Sequence, residues 1–201
     1  MTEFIHLRVK SSYSLLQSAL KIEQITERCK KLNMPAVALT DHDNLFAMLE
    51  FSMAASKAGI QPIHGTIITI EDQGEYGEIL LLAKNQTGYH NLLKLVSHIY
   101  TNPDIKNNHH ILFSTLEKYQ DGLILLSGYT EGLIGKALLE NKEGQAKLYI
   151  ERFYEIFGDR FYLEIMRHKL ATEQTIEQQY IELASKYPIP FVATNNILFE
   201  D

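Results

Sequence analysis

Residues 34–59, with the sequence MPAVALTDHDNLFAMLEFSMAASKAG, join a short apolar run to a longer amphipathic one. The run AVALT (36–40) is typical of a buried strand, and LFAMLEFSMAASKA (45–58) has the apolar spacing of a helix that ends at Gly59. A strand that shows no polar alternation is buried on both faces. This unit therefore predicts a mostly parallel sheet that is covered by helices.

The same alternation continues along the chain. Further strands are predicted at 4–9, 60–70, 78–83, 122–127, 160–166 and 189–194. Further helices are predicted at 22–32, 87–100, 114–119, 131–140, 144–157 and 172–186, with a polar loop at 101–110. Six or seven such units favour a closed or nearly closed α/β barrel, similar to a TIM barrel, over a doubly wound sheet.

Composition indicates one ordinary cytoplasmic domain. Hydrophobic residues make up 45 % of the 201 residues and charged residues 22 %, and no apolar run is long enough to cross a bilayer. Cys29 is the single cysteine, which excludes an internal disulfide and favours a reducing compartment. The net charge of -6 argues against DNA binding by this piece alone. The chain ends soon after its last predicted strand, as expected of a piece excised from a longer polypeptide.

Four stretches carry a resemblance to a known family. They are FIHLRVKSSYSLL (4–16), MPAVALTDHDNLFAMLEF (34–51), LLAKNQTGYHNLLKLVS (81–97), and FGDRFYLEIMRH (157–168) together with PFVATNN (190–196). In order and spacing they resemble the PHP domain at the N-terminus of bacterial replicative DNA polymerase III alpha subunits. The resemblance covers essentially all of residues 1–201 and implies a single PHP domain with a distorted (β/α)7 barrel.

The resemblance also implies a rim of metal ligands, and this sequence departs from that pattern. The nine positions hold Arg8, Lys10, Gln17, His42, Ile67, Glu78, Tyr129, Asn196 and Leu198. His42 keeps the ligand type of its position, and Glu78 has a carboxylate that can coordinate. An arginine is never deprotonated in a protein and brings a positive charge to a cation site. We therefore expect a degenerate site with no metal and no catalytic residue.

The function implied by the resemblance belongs to a longer chain, a DNA-directed DNA polymerase whose downstream domains would bind Mg²⁺ and most of the DNA. Those domains would contact this one in cis. The domain itself is expected to be an inactive scaffold that docks a separate 3′–5′ proofreading exonuclease subunit. The alternatives are a metal-dependent PHP phosphoesterase or pyrophosphatase and an intrinsic proofreading nuclease, and both need the ligands that are missing.

A further expectation concerns what replaced the metals. Arg8 and Lys10 occupy positions where neutral histidines would face the ions. We expect Arg8, with its bidentate guanidinium, to pair with Asp41 and to supply the lost positive charge. In the alternative, both cations point into solvent.

Overall fold

One curled sheet with helices on its outside organises the protein, which we describe from a computed structural model covering residues 4–101 and 109–199. Most of the polar loop predicted at 101–110 lies outside the described residues. In the described part, the strands are β1 (Ala36–His42), β2 (Gln61–Asp72), β3 (Glu75–Ala83), β4 (Ile111–Leu112), β5 (Leu123–Leu126), β6 (Phe161–Ile165) and β7 (Phe191–Ala193). Their order is β1-β2-β3-β5-β6-β7, with β4 beside β2.

The helices follow the predicted positions closely. They are α1 (Ile22–Lys31), α2 (Met48–Ala58), α3 (Gln86–Thr101), α4 (Phe113–Lys118), α5 (Leu133–Leu139), α6 (Glu143–Phe157) and α7 (Ala171–Ala184). Helix α2 ends at Gly59, whose φ of 75° is the left-handed conformation that favours glycine after a helix. Within the described ranges, no helix combines the length and apolarity that a membrane span requires.

The sheet is less parallel than the sequence predicted. Strand β3 runs antiparallel to both β2 and β5. Gln73 and Gly74 join β2 to β3, and their φ angles of 54° and 88° suit a two-residue hairpin turn. A parallel connection needs a long crossover, so this short turn forces the chain to reverse. The sequence-based interpretation found both strands but missed the turn between them.

The N-terminal segment closes the curled sheet. The carbonyl oxygens of His6 and Val9 accept hydrogen bonds from the backbone of β1, at 2.9 and 2.8 Å. On the other side, Ile197 exchanges two 3.1 Å backbone hydrogen bonds with Arg8 and Lys10. The first predicted strand thus forms a narrow connection, with a parallel bridge between Val9 and Ile197, rather than a full ladder.

Alternation along the strands separates two kinds of core. Inside the curled sheet, a small cluster is formed by Ala38, Ile67, Leu80, Leu82 and Leu126. Outside it, α3, α5, α6 and α7 cover the central strands, whereas α1 and α2 cover β1. Side chains of even-numbered residues in β1 and β3 therefore face inward, and this alternation decides which polar groups meet at the rim.

Candidate functional site

Four charged side chains meet at one end of the barrel interior, and we call them the charged rim cluster: Arg8, His42, Glu78 and Glu164. His42 lies at the end of β1 and Glu164 near the end of β6, where the carboxyl ends of parallel strands come together. Glu78 lies near the start of the antiparallel β3, which places it at the same end. This is the rim on which (β/α) barrels build their sites.

Arg8 joins the two carboxylates of the cluster. Its Nη1 donates to Oε2 of Glu164 at 3.0 Å, and its Nη2 donates to Oε2 of Glu78 at 2.8 Å. The arginine side chain is 2 % exposed. Charge-assisted hydrogen bonds of this kind are stronger than those between neutral groups. The guanidinium therefore compensates two negative charges at once.

Glu164 is fully buried, and hydrogen bonds reach both of its oxygens. The Thr194 hydroxyl donates to Oε1 at 2.6 Å, and the Gly128 N–H donates to Oε2 at 3.1 Å. Gly128 has φ +79°, and a Cβ there would lie 2.1 Å from the backbone oxygen of Glu78. A glycine is thus required for this N–H to approach the carboxylate.

His42 forms the second link of the cluster. Its Nε2 lies 3.4 Å from Oε1 of Glu78, and its Nδ1 lies 2.9 Å from Oδ2 of Asp43. Burial acts to lower the pKa of His42, but hydrogen bonds and charges from Asp43 and Glu78 outweigh it and raise the pKa to about 9. Burial likewise acts to raise the pKa of Glu78. The hydrogen bond from His42 and the charges of Arg8, His42 and Lys10 prevail and lower it to about 2.

Lys10 contacts Gln17, another of the nine positions. Its Nζ donates to Oε1 of Gln17 at 2.7 Å, and the lysine is 6 % exposed. Burial lowers the pKa of Lys10, and the nearby charge of Glu78 opposes that shift. Two of the nine positions thus hydrogen-bond to each other.

The predicted Arg8–Asp41 ion pair is wrong. Asp41 instead accepts hydrogen bonds from the N–H and hydroxyl of Ser11, both at 2.7 Å, and from the hydroxyl of Ser14 at 2.6 Å. The reason is strand alternation, since neighbours in a strand point to opposite faces. Asp41 precedes His42, so it faces away from the interior that Arg8 enters.

The other four of the nine positions have apolar or groove surroundings. Ile67 is part of the apolar cluster inside the sheet. Tyr129 packs edge-on against Tyr180 in the outer core, with ring centroids 5.3 Å apart. Asn196 and Leu198 line a groove beside α1. The structure therefore brings Arg8, Lys10, Gln17, His42 and Glu78 into polar contacts at the rim, whereas Ile67, which pairs with His42 in the β1–β2 register, contributes an apolar side chain there.

The chemistry of this rim does not fit a metal cluster. Oxygens of both Glu78 and Glu164 already accept from Arg8, whose positive charge lies between them. In the two described ranges, no group of three or more histidines, cysteines, aspartates and glutamates is arranged to hold an ion. Divalent ions need several such ligands each. What the arrangement does is balance buried charges.

Comparison with known families agrees with this architecture. The PHP domain family matches residues 6–168. The chain belongs to the PHP domain family. It is also 56 % identical over 199 residues to the DNA polymerase III subunit alpha of Rickettsia bellii and 36 % identical over 204 residues to that of Caulobacter vibrioides. Each alignment covers 98 % of this chain, but the chain spans 17 % and 18 % of the two relatives' lengths.

Solved structures share the PHP domain's fold. An amidohydrolase from Chromobacterium violaceum matches with a TM-score of 0.66 and 13 % identity, over 96 % of this chain and 87 % of that one. A protein from Bifidobacterium adolescentis, described as a metal-dependent phosphoesterase, matches with a TM-score of 0.66 and 11 % identity, over 99 % and 89 % of the two chains. At these identities the likeness concerns the fold alone, and it confirms the expected barrel-like α/β architecture.

Sequence reasoning missed Glu164 as a site residue. Its signal was present in FYLEIM, where one acidic residue interrupts an apolar strand and shares a face with Tyr162. A buried carboxylate in such a run requires a partner. The partner itself was not visible in the sequence, because Arg8 is 156 residues away.

Proposed function

We propose that this chain is the N-terminal PHP domain of a DNA polymerase III alpha subunit, and that it acts as a scaffold without catalytic activity of its own. The parent activity is template-directed DNA synthesis, a nucleotidyl transfer. Support for the parent comes from identity across 98–99 % of the chain to several subunits of that name. Primer extension by the full-length subunit tests this part.

One observation carries the scaffold proposal, namely the guanidinium of Arg8 held between Glu78 and Glu164. A hydrolytic metal site must lower the pKa of a bound water and neutralise the charge of a phosphate. Here the carboxylates of Glu78 and Glu164 instead bind the guanidinium of Arg8. Arg8 therefore takes over the stabilising role of metal ions at the rim, but it does not supply their catalytic role in phosphoester hydrolysis.

The structural neighbours raise the rival function of a PHP phosphoesterase. To separate the two, the purified protein is assayed with aryl phosphates, pyrophosphate and 3′-ended DNA, with and without Mn²⁺. We expect no turnover above background. Turnover that copurifies with the protein and disappears in His42→Ala would establish the rival.

The scaffold proposal includes a partner, a separate 3′–5′ exonuclease subunit. A polymerase whose PHP domain lacks its own metal chemistry needs proofreading from elsewhere, and a docked nuclease supplies it. We expect the full-length subunit to bind that exonuclease and to lose binding when residues 1–201 are removed. Unchanged binding by a truncated subunit that still extends primers would reject the docking role and leave the polymerase assignment standing.

A further inference from the structure

A groove of about 420 Å³ lies on the outside of the barrel, between α1 and the last described segment of the chain. Its floor is apolar and includes Val9, Ile25 and Cys29, each no more than 5 % exposed. Two large apolar side chains lie at the groove and remain exposed, Leu32 at 50 % and Phe199 at 62 %. Exposed apolar surface that adjoins a buried apolar floor marks a contact site.

Two residues that line the groove, His6 and Asn196, each have a buried polar atom. Nδ1 of His6 and Oδ1 of Asn196 are buried, and neither has a hydrogen-bond partner among the described residues. Buried polar groups in native proteins are nearly always satisfied. Both atoms are inaccessible from the groove, so the groove selects its occupant through the apolar contacts of its floor and edges.

The position of the groove selects the occupant. Residues 195–199 form one wall. The relatives are about six times longer than the aligned region, because the chain spans 17 % of their length. A segment that follows this wall in the same polypeptide starts at the groove, and such tethering gives it a high effective concentration there. A separate protein has no such advantage.

We infer that this groove is the docking site for a segment of the same polypeptide that lies beyond residue 201, which seats an apolar side chain between Leu32 and Phe199. This inference rests on the proposed function, since it requires the chain to continue into polymerase domains. The groove then couples the barrel to the remainder of the subunit through α1 and the closing segment. The charged rim cluster takes no part in it.

Photo-crosslinking in the full-length subunit tests the inference. The photoreactive residue p-benzoylphenylalanine replaces Leu32 in one variant and Phe199 in another, since both side chains are exposed and tolerate replacement. Mass spectrometry then identifies the captured peptide. We expect both variants to capture the same region of the same chain beyond residue 201. A mixture of ¹⁵N-labelled and unlabelled subunits separates capture within one chain from capture between chains.

Every other outcome overturns the inference. These outcomes are capture of the exonuclease subunit, capture of a second copy, capture confined to residues 1–201, and no capture in either variant. Leu148→p-benzoylphenylalanine, at a leucine on α6 that is 41 % exposed, is the control and must not capture the same peptide. Primer extension by the same preparations reports separately on the proposed function.

Discussion

Glu164 and Asp41 are both fully buried carboxylates near one end of the barrel, yet the protein compensates them differently. Glu164 accepts from the Arg8 guanidinium, a threonine hydroxyl and a backbone N–H. Asp41 accepts from one N–H and two serine hydroxyls, all of them neutral donors. Glu164 depends on a cation 156 residues away in the sequence, whereas Asp41 depends on neutral donors 27 and 30 residues away.

The difference determines what each region loses when a partner is removed. Without Arg8, two carboxylates remain in the barrel without their shared cation, and a buried unpaired charge is expensive. Without Asp41, no charge is left behind, and the loss is that of three donors that need new acceptors. Ionic compensation is therefore the more vulnerable arrangement, although both carboxylates are equally buried.

The largest effect is expected from Arg8→Met, which keeps much of the side-chain volume and removes the charge. Breaking a buried ion pair from one side costs about 3–5 kcal/mol, because the remaining charge is uncompensated. Urea unfolding of the 201-residue protein measures the loss. The matched control is Arg167→Met, which removes an exposed pair with Glu177 and is expected to cost less than about 1 kcal/mol. Equal losses in the two variants would contradict the role given to Arg8.

Asp41→Ala is expected to cost about 2–3 kcal/mol, because each buried donor left unsatisfied costs about 1–3 kcal/mol and the two serine hydroxyls can rotate towards other acceptors. Asp41→Asn keeps one acceptor oxygen and should cost less. The double variant Arg8→Met/Asp41→Ala sharpens the comparison. Its loss should equal the sum of the single losses within about 0.5 kcal/mol, because the two residues share no hydrogen-bond partner. A large coupling energy between the two substitutions would show that Arg8 and Asp41 interact directly.

Stability is expected to depend on pH in two windows. The pKa of His42 is raised from 6.5 to about 9, so its stabilisation is complete below pH 6.5 and is lost as pH rises through 9. The pKa of Glu78 is lowered from 4.5 to about 2, so its stabilisation is complete above pH 4.5 and is lost as pH falls towards 2. Since one pKa unit corresponds to about 1.4 kcal/mol, the rise from 6.5 to about 9 corresponds to a loss of about 3 kcal/mol at high pH.

Thermal melts between pH 6 and 10 measure the upper window. His42→Asn should flatten the pH profile there relative to the unaltered protein, while the fall below pH 4.5 remains. The same slope in both proteins above pH 6.5 would show that His42 is not protonated in the fold.

Much of the fold was predictable because its signals are local. The apolar run at 36–40, the helix ending at Gly59 and the amphipathic segment at 144–157 each depend on neighbouring residues. The antiparallel β3 was missed because the turn at Gln73 and Gly74 lacks the usual asparagine or aspartate at its first position. Element type was thus readable, and strand direction was not.

The site was harder to predict from the sequence because its contacts join residues that are far apart in the chain. The sequence analysis expected Arg8 to pair with Asp41, whereas Arg8 pairs with Glu78 and Glu164. Alternation alone excludes Asp41, because it faces opposite to His42 in β1. Choosing Glu164 requires knowing that β6 lies near the N-terminal segment in the closed sheet, and that arrangement depends on the sheet order and its closure.

The central claim is that a protein cation occupies the place of metal ions at this rim, and elemental analysis tests it most directly. The protein is purified without chelator, and Zn, Mn and Fe are quantified per chain, with His42→Ala as the comparison. We expect no stoichiometric metal in either protein, because Arg8 already neutralises Glu78 and Glu164. One or more ions per chain, lost in His42→Ala, would contradict the account.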